Sequence, residues 1–249
     1  MIARDALLIA AGVLAGVVGT AGGITSLISY PALLWVGIPA LPATVANTVA
    51  IVACWPGSAA ASRPELRGRG PWLRRWIPVA AAGGAAGSVL LLVTPAGVFG
   101  RVVPFLIAAG SLALLLQPWI TAASPESGRR GARLLLPAGV AALSFYNGYF
   151  GAGAGVLLLS LTLLTVDSQL TRANALKNML VGAASIASAV TFAILAKVDW
   201  TVVAPLAAGM LAGSALGPRV ARRIPPGLLR WLVALMGLGF ALHLWLTAS

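Results

Sequence analysis

Two glycine-rich stretches decide how this chain folds: GVVGTAGG at residues 16–23 and GYFGAGAG at residues 148–155. Each lies inside an apolar run of 33 residues, 6–38 and 134–166. One membrane-spanning helix needs about 20 residues and two need about 40, so neither run matches a whole number of spans. Three glycines recur 132 positions apart, which indicates an internal repeat: Gly16 with Gly148, Gly19 with Gly151, and Gly23 with Gly155.

The rest of the chain alternates between apolar runs and short polar breaks. Of its 249 residues, 59% are hydrophobic and 9% are charged, whereas soluble domains carry about 25% charged residues. This composition excludes a soluble enzyme and a disordered chain, and it predicts an all-α polytopic membrane protein. The other apolar runs are 41–62, 76–94, 102–120, 173–196, 201–217 and 227–247.

Each half of the chain is therefore predicted to contain one interrupted run followed by three ordinary helices. We expect a first membrane repeat over residues 1–120, a cytoplasmic linker over 121–133 and a second membrane repeat over 134–249. Together they would form a single integral membrane domain, because no polar break is long enough for a soluble one.

The placement of the arginines predicts the orientation. The breaks 63–75, 121–133 and 218–230 hold five, three and four arginines, and the positive-inside rule assigns them to the cytoplasmic side. The net charge of +12 thus indicates topology rather than nucleic-acid binding. A re-entrant hairpin at 134–166 keeps all three breaks cytoplasmic, whereas a single crossing does not. We therefore favour hairpins in two inverted halves over one tilted, broken helix in each run.

The glycine breaks themselves favour an anion site. A break at mid-membrane exposes backbone N–H groups at the start of a half-helix, and such groups attract anions. Close helix packing through small residues is the alternative interpretation. The candidate residues are Gly22, Gly23 and Thr25 in the first half, and Gly153 and Gly155 in the second.

A basic residue inside an apolar helix is the second indication of an anion. Lys177 lies some four residues inside its run, and an intramembrane cation is costly and by default functional. The alternative is that its side chain reaches back to the membrane surface. Asn174 and Asn178 share a helix face beside it and offer amide groups to an oxyanion. The first half has counterparts without a cation: Asn47 and Thr48.

The remaining titratable residues disfavour other chemistries. No carboxylate is predicted in the middle of a span, which disfavours a cation pathway. Asp167 is the one candidate proton relay, but we favour a helix cap before Gln169. His243 has no partner acid or serine motif, so an intramembrane serine protease is disfavoured and a structural role is expected. Cys54, the single cysteine, is interpreted as a small apolar residue, and neither a metal nor a cofactor is expected.

Several of these motifs resemble those of one family, the TauE/SafE family of sulfite exporters, and the resemblance covers essentially the whole chain. It implies export of sulfite or another small sulfur-containing or organic anion, driven by an ion gradient. The motifs that carry it are GVVGTAGG followed by Pro31 and VGIP (36–39), YNGYFGAGAG (146–155), ANALKN (173–178), VDW (198–200) and ARRIPP (221–226).

The sequence thus predicts a secondary transporter, not an enzyme, that moves a small anion across the cytoplasmic membrane by alternating access. A passive anion channel is the alternative. The expected partners are the anion and the lipid bilayer, without nucleic acid. A homodimer is compatible with the sequence, which does not determine the oligomeric state. The expected substrate-binding residues are Gly22, Gly23, Thr25, Asn47, Thr48, Gly153, Gly155, Asn174, Lys177 and Asn178.

Overall fold

The apolar runs of the sequence all form helices. The computed structural model describes residues 2–22, 24–122, 129–221 and 226–247, a part of the chain that contains no β-strand. In apolar surroundings each backbone N–H and C=O group needs a partner within the protein, and a helix supplies one within a single segment. The helices are α1 (Ile2–Gly22), α2 (Thr25–Trp35), α3 (Ala40–Ile51), α4 (Trp55–Ala61), α5 (Gly70–Val93), α6 (Ala96–Ala122), α7 (Arg129–Tyr149), α8 (Ala154–Thr165), α9 (Leu170–Leu195), α10 (Trp200–Ala221) and α11 (Pro226–Thr247).

Within the described residues, four segments are long and apolar enough to cross a membrane. Several shorter helices are equally apolar, α8 among them. The predicted all-α class is confirmed by this arrangement. The four long segments are Ala40–Ala60, Gly70–Val93, Ala96–Leu116 and Leu170–Leu195.

Both over-long runs break at their glycines into a long and a short helix. In the second run, α7 ends at Tyr149 and α8 begins at Ala154. The turn between them contains Gly151 and Gly153 at φ +82° and +79°, a left-handed conformation that glycine adopts without steric cost. A Cβ atom at Gly139 would contact the side chain of Leu161, so α8 folds back along α7. The second run is therefore a hairpin with unequal arms.

Two helix boundaries differ from the prediction. The run 41–62 is not one ordinary helix, because a 3₁₀ segment, Val52–Cys54, separates α3 from α4. Pro56 accounts for this break, since proline lacks an N–H donor and its ring clashes with the carbonyl four residues earlier, that of Val52. In addition, α5 begins inside the break predicted at 63–75. It starts at Gly70 with Pro71 in its first turn, a position that favours proline.

The two halves of the chain interlock through helices that approach closely. The first-half helix α1 packs against α10, with Gly12 beside Leu206 and Gly16 beside Met210. Conversely, the second-half helix α7 packs against the first-half helix α5. In both pairs the residue numbers rise together along the contact, so the paired helices are parallel. In α5 and α7 the contacts are Gly83 with Ala141 and Gly87 with Phe145.

Two polar contacts mark opposite ends of the molecule. At one end Arg69, at the start of α5, forms an ion pair with Asp167, just before α9. At the other end Arg4 donates a hydrogen bond to the Thr201 hydroxyl (3.1 Å), which donates to Asp199 (2.6 Å). This last hydrogen bond lowers the pKa of the Asp199 carboxyl. The 26 residues of α9, about 39 Å of helix, separate the two, which we call the Arg69 end and the Asp199 end.

Candidate functional site

The two glycine breaks meet at a cavity inside the helical bundle. Aromatic contacts bring the breaks together, since the rings of Tyr30 and Phe150 lie 5.1 Å apart in an edge-to-face arrangement. The cavity has a volume of about 70 Å³, space for roughly five to seven water molecules at 10–15 Å³ each. A small polyatomic ion matches that size. The lining residues are Gly19, Thr25, Ser26, Ile51, Val52, Cys54, Trp55, Ser58, Asn147, Gly151, Gly155, Lys177, Asn178, Val181, Gly182 and Ser185.

Among the described lining residues, Lys177 is the one with a charged side chain. It lies in the second turn of α9 and is 1% exposed, so its side chain does not extend to the surface of the protein. No hydrogen bond or ion pair to it is found among the described residues. The carboxylates of that part of the chain lie at or outside the helix ends, and none lines the cavity. The ammonium group is therefore buried without a counter-charge.

Four of the predicted site residues lie together on the cavity wall. Thr25 comes from the first glycine break and Gly155 from the second, while Lys177 and Asn178 come from α9. The N–H groups of Ala154, Val156 and Leu157 bond to turn carbonyls at the start of α8, but the N–H of Gly155 has no such bond. The Gly155 N–H, which has no acceptor among the described residues, thus borders the cavity at a helix N-terminus, where it attracts negative charge. All four residues present donors rather than carboxylates.

Two predicted residues of the first half, Asn47 and Thr48, are buried behind the wall rather than lining it. The Asn47 amide group donates to the Ser26 hydroxyl (3.2 Å) and accepts from the Ser29 hydroxyl (2.5 Å). Since Ser26 lines the cavity, Asn47 orients a lining hydroxyl without reaching the space itself.

The remaining predicted residues lie around the cavity. Gly153 forms the hairpin turn and packs against Gly110 of α6. Asn174 lies one turn closer to the Arg69 end than Asn178, and its side-chain oxygen is buried without a partner in the described structure. Gly22 ends α1, and Gly23 lies outside the described residues.

The cavity also includes residues that the sequence analysis did not select. Asn147 precedes the second glycine break, a position from which the sequence allows it to reach a pathway, although it was not among the expected binding residues. It lines the cavity and donates to the Ser185 hydroxyl (3.1 Å). Trp55 and Ser58 contribute from α4. Cys54 is buried, as expected of a small apolar residue, but lies in the 3₁₀ segment and on the cavity wall. The sequence signal for these residues was Pro56, because a proline inside the run 41–62 predicts a break in the helix beside Cys54 and Trp55.

The glycines of the two breaks divide between packing and the cavity. Gly16 and Gly148 lie against the backbones of neighbouring helices, at Met210 and Gly84, as the packing interpretation expected. Gly19, Gly151 and Gly155 line the cavity instead. The packing interpretation is therefore confirmed for Gly16 and Gly148, whereas an anion site at Gly19, Gly151 and Gly155 stays a prediction.

Asp167 was expected to cap α9, but the N-cap of that helix is Gln169, whose side chain forms no cap hydrogen bond, and Asp167 lies two residues before it. Its carboxylate accepts a hydrogen bond from the backbone N–H of Gln169 (3.0 Å) and pairs with Arg69. His243 lies in α11 beside Phe240, with 6.5 Å between the ring centroids, and is not part of the cavity lining.

We expect the substitution Asp167→Asn to destabilise the protein by about 1 kcal/mol without changing the pH dependence of transport. The amide keeps an oxygen that accepts from the Gln169 N–H and loses the charge that pairs with Arg69. A partly exposed ion pair contributes at most about that amount. Thermal denaturation in detergent and transport rates across a pH series would measure both. A shifted pH profile would instead indicate that Asp167 carries protons.

Comparison with known proteins identifies the family to which this chain belongs. The family model described as "Sulfite exporter TauE/SafE" matches residues 7–244, nearly the whole chain. The chain belongs to the TauE/SafE family. The resemblance inferred from the glycine motifs is thereby confirmed, and the protein is a multi-pass protein of a membrane transporter family.

Curated relatives carry names that agree with the family. A "Probable membrane transporter protein" of Haemophilus influenzae is 29% identical over 238 residues, 93% of this chain and 90% of that protein. "Probable membrane transporter protein ORF9" of a Sinorhizobium species is 25% identical, covering 96% and 91%. "Probable membrane transporter protein YfcA" of Escherichia coli K12 is 26% identical, covering 83% and 77%. No solved structure gives a significant match.

Proposed function

We propose that this protein is a secondary transporter that exports sulfite, or a related small sulfur-containing or organic anion, across the cytoplasmic membrane. The observation that carries the proposal is Lys177, a buried cation on the wall of a cavity of suitable size, for which the described residues supply no partner. An isolated buried charge costs several kcal/mol, and a neighbouring opposite charge offsets that cost. A bound anion would supply that charge.

The other lining groups support an anion rather than a cation. Asn178 and Asn147 offer amide donors, Thr25 offers a hydroxyl, and Gly155 offers a free backbone N–H. No carboxylate stands on the described wall to bind a cation. Hydrogen bonds to a charged group are each worth about 1.5–3 kcal/mol, so a few of them suffice for micromolar to millimolar affinity.

An inverted repeat would allow the site to open alternately to the two sides of the membrane. The spacing of the helices recurs in the second half. The start of α9 at Leu170 follows the start of α3 at Ala40 by 130 positions, and the start of α10 at Trp200 follows the start of α5 at Gly70 by the same number. The parallel packing of α7 with α5 and of α1 with α10 supports inversion. The first helix of the second half, α7, begins at the Arg69 end, whereas the first helix of the first half, α1, begins at the opposite, Asp199 end. We propose 1–120 and 134–249 as the two repeats, one moving against the other around the cavity.

The same contacts support the predicted orientation. The ion pair of Arg69 brings the loop at Asp167 to the end where α5 begins, as expected if α7 and α8 enter and leave the membrane on one side. The arginine-rich break 63–75 lies at that end. We therefore propose that the Arg69 end faces the cytoplasm of a bacterial-type inner membrane.

Flux into proteoliposomes tests the function. We expect sulfite uptake to saturate with concentration and to be accelerated by sulfite preloaded on the opposite side, because a carrier returns faster when loaded. Flux that rises linearly without this counterflow would indicate a passive channel. Sulfite flux no faster than in protein-free liposomes would contradict the proposal.

Labelling of Cys54 tests the location of the site. It is the single cysteine and lines the cavity, so it reports on this place without any substitution. We expect sulfate, a related oxyanion that does not react with maleimides as sulfite does, to slow the reaction of Cys54 with N-ethylmaleimide, while sodium chloride at equal ionic strength has a smaller effect. An unchanged labelling rate in the presence of saturating sulfate would place the anion elsewhere.

A further inference from the structure

Trp55 has a polar atom that the helical bundle does not satisfy. Its indole Nε1 is buried and has no hydrogen-bond partner among the described residues. Most buried donors in proteins are paired, and leaving one unpaired costs about 1–3 kcal/mol. Other buried polar atoms in this part of the chain lack partners, but they belong to residues that do not line the cavity, whereas Trp55 lines it.

The indole edge lies beside the residues of the proposed anion site. A Cβ atom on Gly182 would overlap Cδ1 and Nε1 of Trp55, so this edge of the ring rests on α9 where a side chain is absent. Gly182 is four residues after Asn178, and residues four apart share one face of a helix. The N–H of Trp55 therefore lies over the face of α9 that carries Asn178, next to Lys177.

The local backbone explains how the ring reaches this place. Trp55 directly follows the 3₁₀ segment Val52–Cys54, where the helix axis is interrupted by Pro56. The corresponding helix of the second half, α9, continues without interruption from Leu170 to Leu195. A 3₁₀ stretch within a helix often accompanies a functional position, and here it presents a tryptophan to the cavity.

We propose that Trp55 is a substrate-binding residue whose indole N–H donates a hydrogen bond to the oxyanion held by Lys177. This inference rests on the proposed function. Lys177 and Trp55 are donors on one cavity wall. Among the described residues, Trp55 Nε1 has no acceptor and no hydrogen bond or ion pair to Lys177 is found. An oxyanion carries several oxygen atoms and can accept from both at once. A cation cannot accept from either.

The substitution Trp55→Phe tests the inference, because it keeps an aromatic ring and removes the N–H. We expect the Kd for sulfite, measured by calorimetry on purified protein, to rise at least about tenfold, as a hydrogen bond to a charged group requires. The empty protein should not lose thermal stability through the missing hydrogen bond, since that bond is absent without ligand. Trp76→Phe is the matched control, a buried tryptophan outside the cavity, and should leave the Kd unchanged.

A second variant keeps Trp55 and displaces its ring. The added methyl group of Gly182→Ala overlaps the indole edge, so we expect a similar loss of sulfite affinity even if Trp55→Phe does not fold. Wild-type affinity in either folded variant would overturn the role of Trp55 while leaving the transporter proposal in place. If the wild-type protein binds neither sulfite nor sulfate, both proposals fail.

Discussion

Replacing Lys177 with methionine is expected to abolish transport and, at the same time, to raise the melting temperature of the empty protein. Methionine has a similar unbranched shape but no charge. Lys177 is 1% exposed and has no counter-charge in the described structure, so its charge destabilises the fold as long as the cavity is empty. Replacing buried charges with apolar side chains stabilises proteins by about 1–4 kcal/mol, and a gain in that range would raise the melting temperature by several degrees.

The loss of transport in this variant follows from the same charge. Removing one partner of a buried ion pair costs about 3–5 kcal/mol, so the affinity for sulfite should fall by at least about a hundredfold. Sulfite should raise the melting temperature of the wild-type protein by mass action and leave that of Lys177→Met unchanged. The opposite signs of the two effects distinguish a binding residue from a structural one.

A matched control separates the position from the residue type. Lys197 is exposed in the segment between α9 and α10, so Lys197→Met should change neither the melting temperature of the empty protein nor sulfite transport by more than a small amount. If Lys177→Met instead destabilises the empty protein and transports sulfite at the wild-type rate, Lys177 is a packing residue and the site lies elsewhere.

The sequence predicted best where one residue departs from its surroundings. Lys177 is conspicuous as a cation in an apolar run, and the glycine clusters are conspicuous at the centres of two runs of unusual length. Both signals are local, because the cost of a buried charge or of a non-helical backbone in a membrane does not depend on which neighbour is present. The two breaks and the buried lysine were therefore found before any contact was known.

The sequence could not predict which helices pack together. Gly16 and Gly19 are three residues apart, yet the first contacts α10 and the second lines the cavity. Their separate roles depend on which face of α1 meets α10, more than 180 residues later in the chain. Trp55 was missed for the same reason, since its environment is created by Gly182 of α9. In a single sequence all of these helices are similarly apolar, so composition does not indicate which of them pack together.

The substitution Gly148→Leu is expected to prevent stable assembly of the helical bundle. The backbones of α5 and α7 are in direct contact at this point, because a Cβ atom on Gly148 would overlap the backbone of Gly84. Close approach through small residues is a main source of helix association in membranes. A leucine side chain would force the helices apart, and overpacking of this kind costs about 1–3 kcal/mol or more. Size-exclusion chromatography and thermal denaturation in detergent would measure the effect.

The control for this prediction is Gly239→Leu, because Gly239 lies in α11 with open space around its Cα. Leucine is a better helix former than glycine by up to about 1 kcal/mol, so this variant should be as stable as the wild-type protein or slightly more so. Gly148 does not line the cavity, and any folded fraction of Gly148→Leu should therefore still bind sulfite. A folded, fully stable Gly148→Leu would show that α5 and α7 separate more easily than their backbone contact implies. A folded variant that had lost only binding would place Gly148 at the site rather than in the packing of the helices.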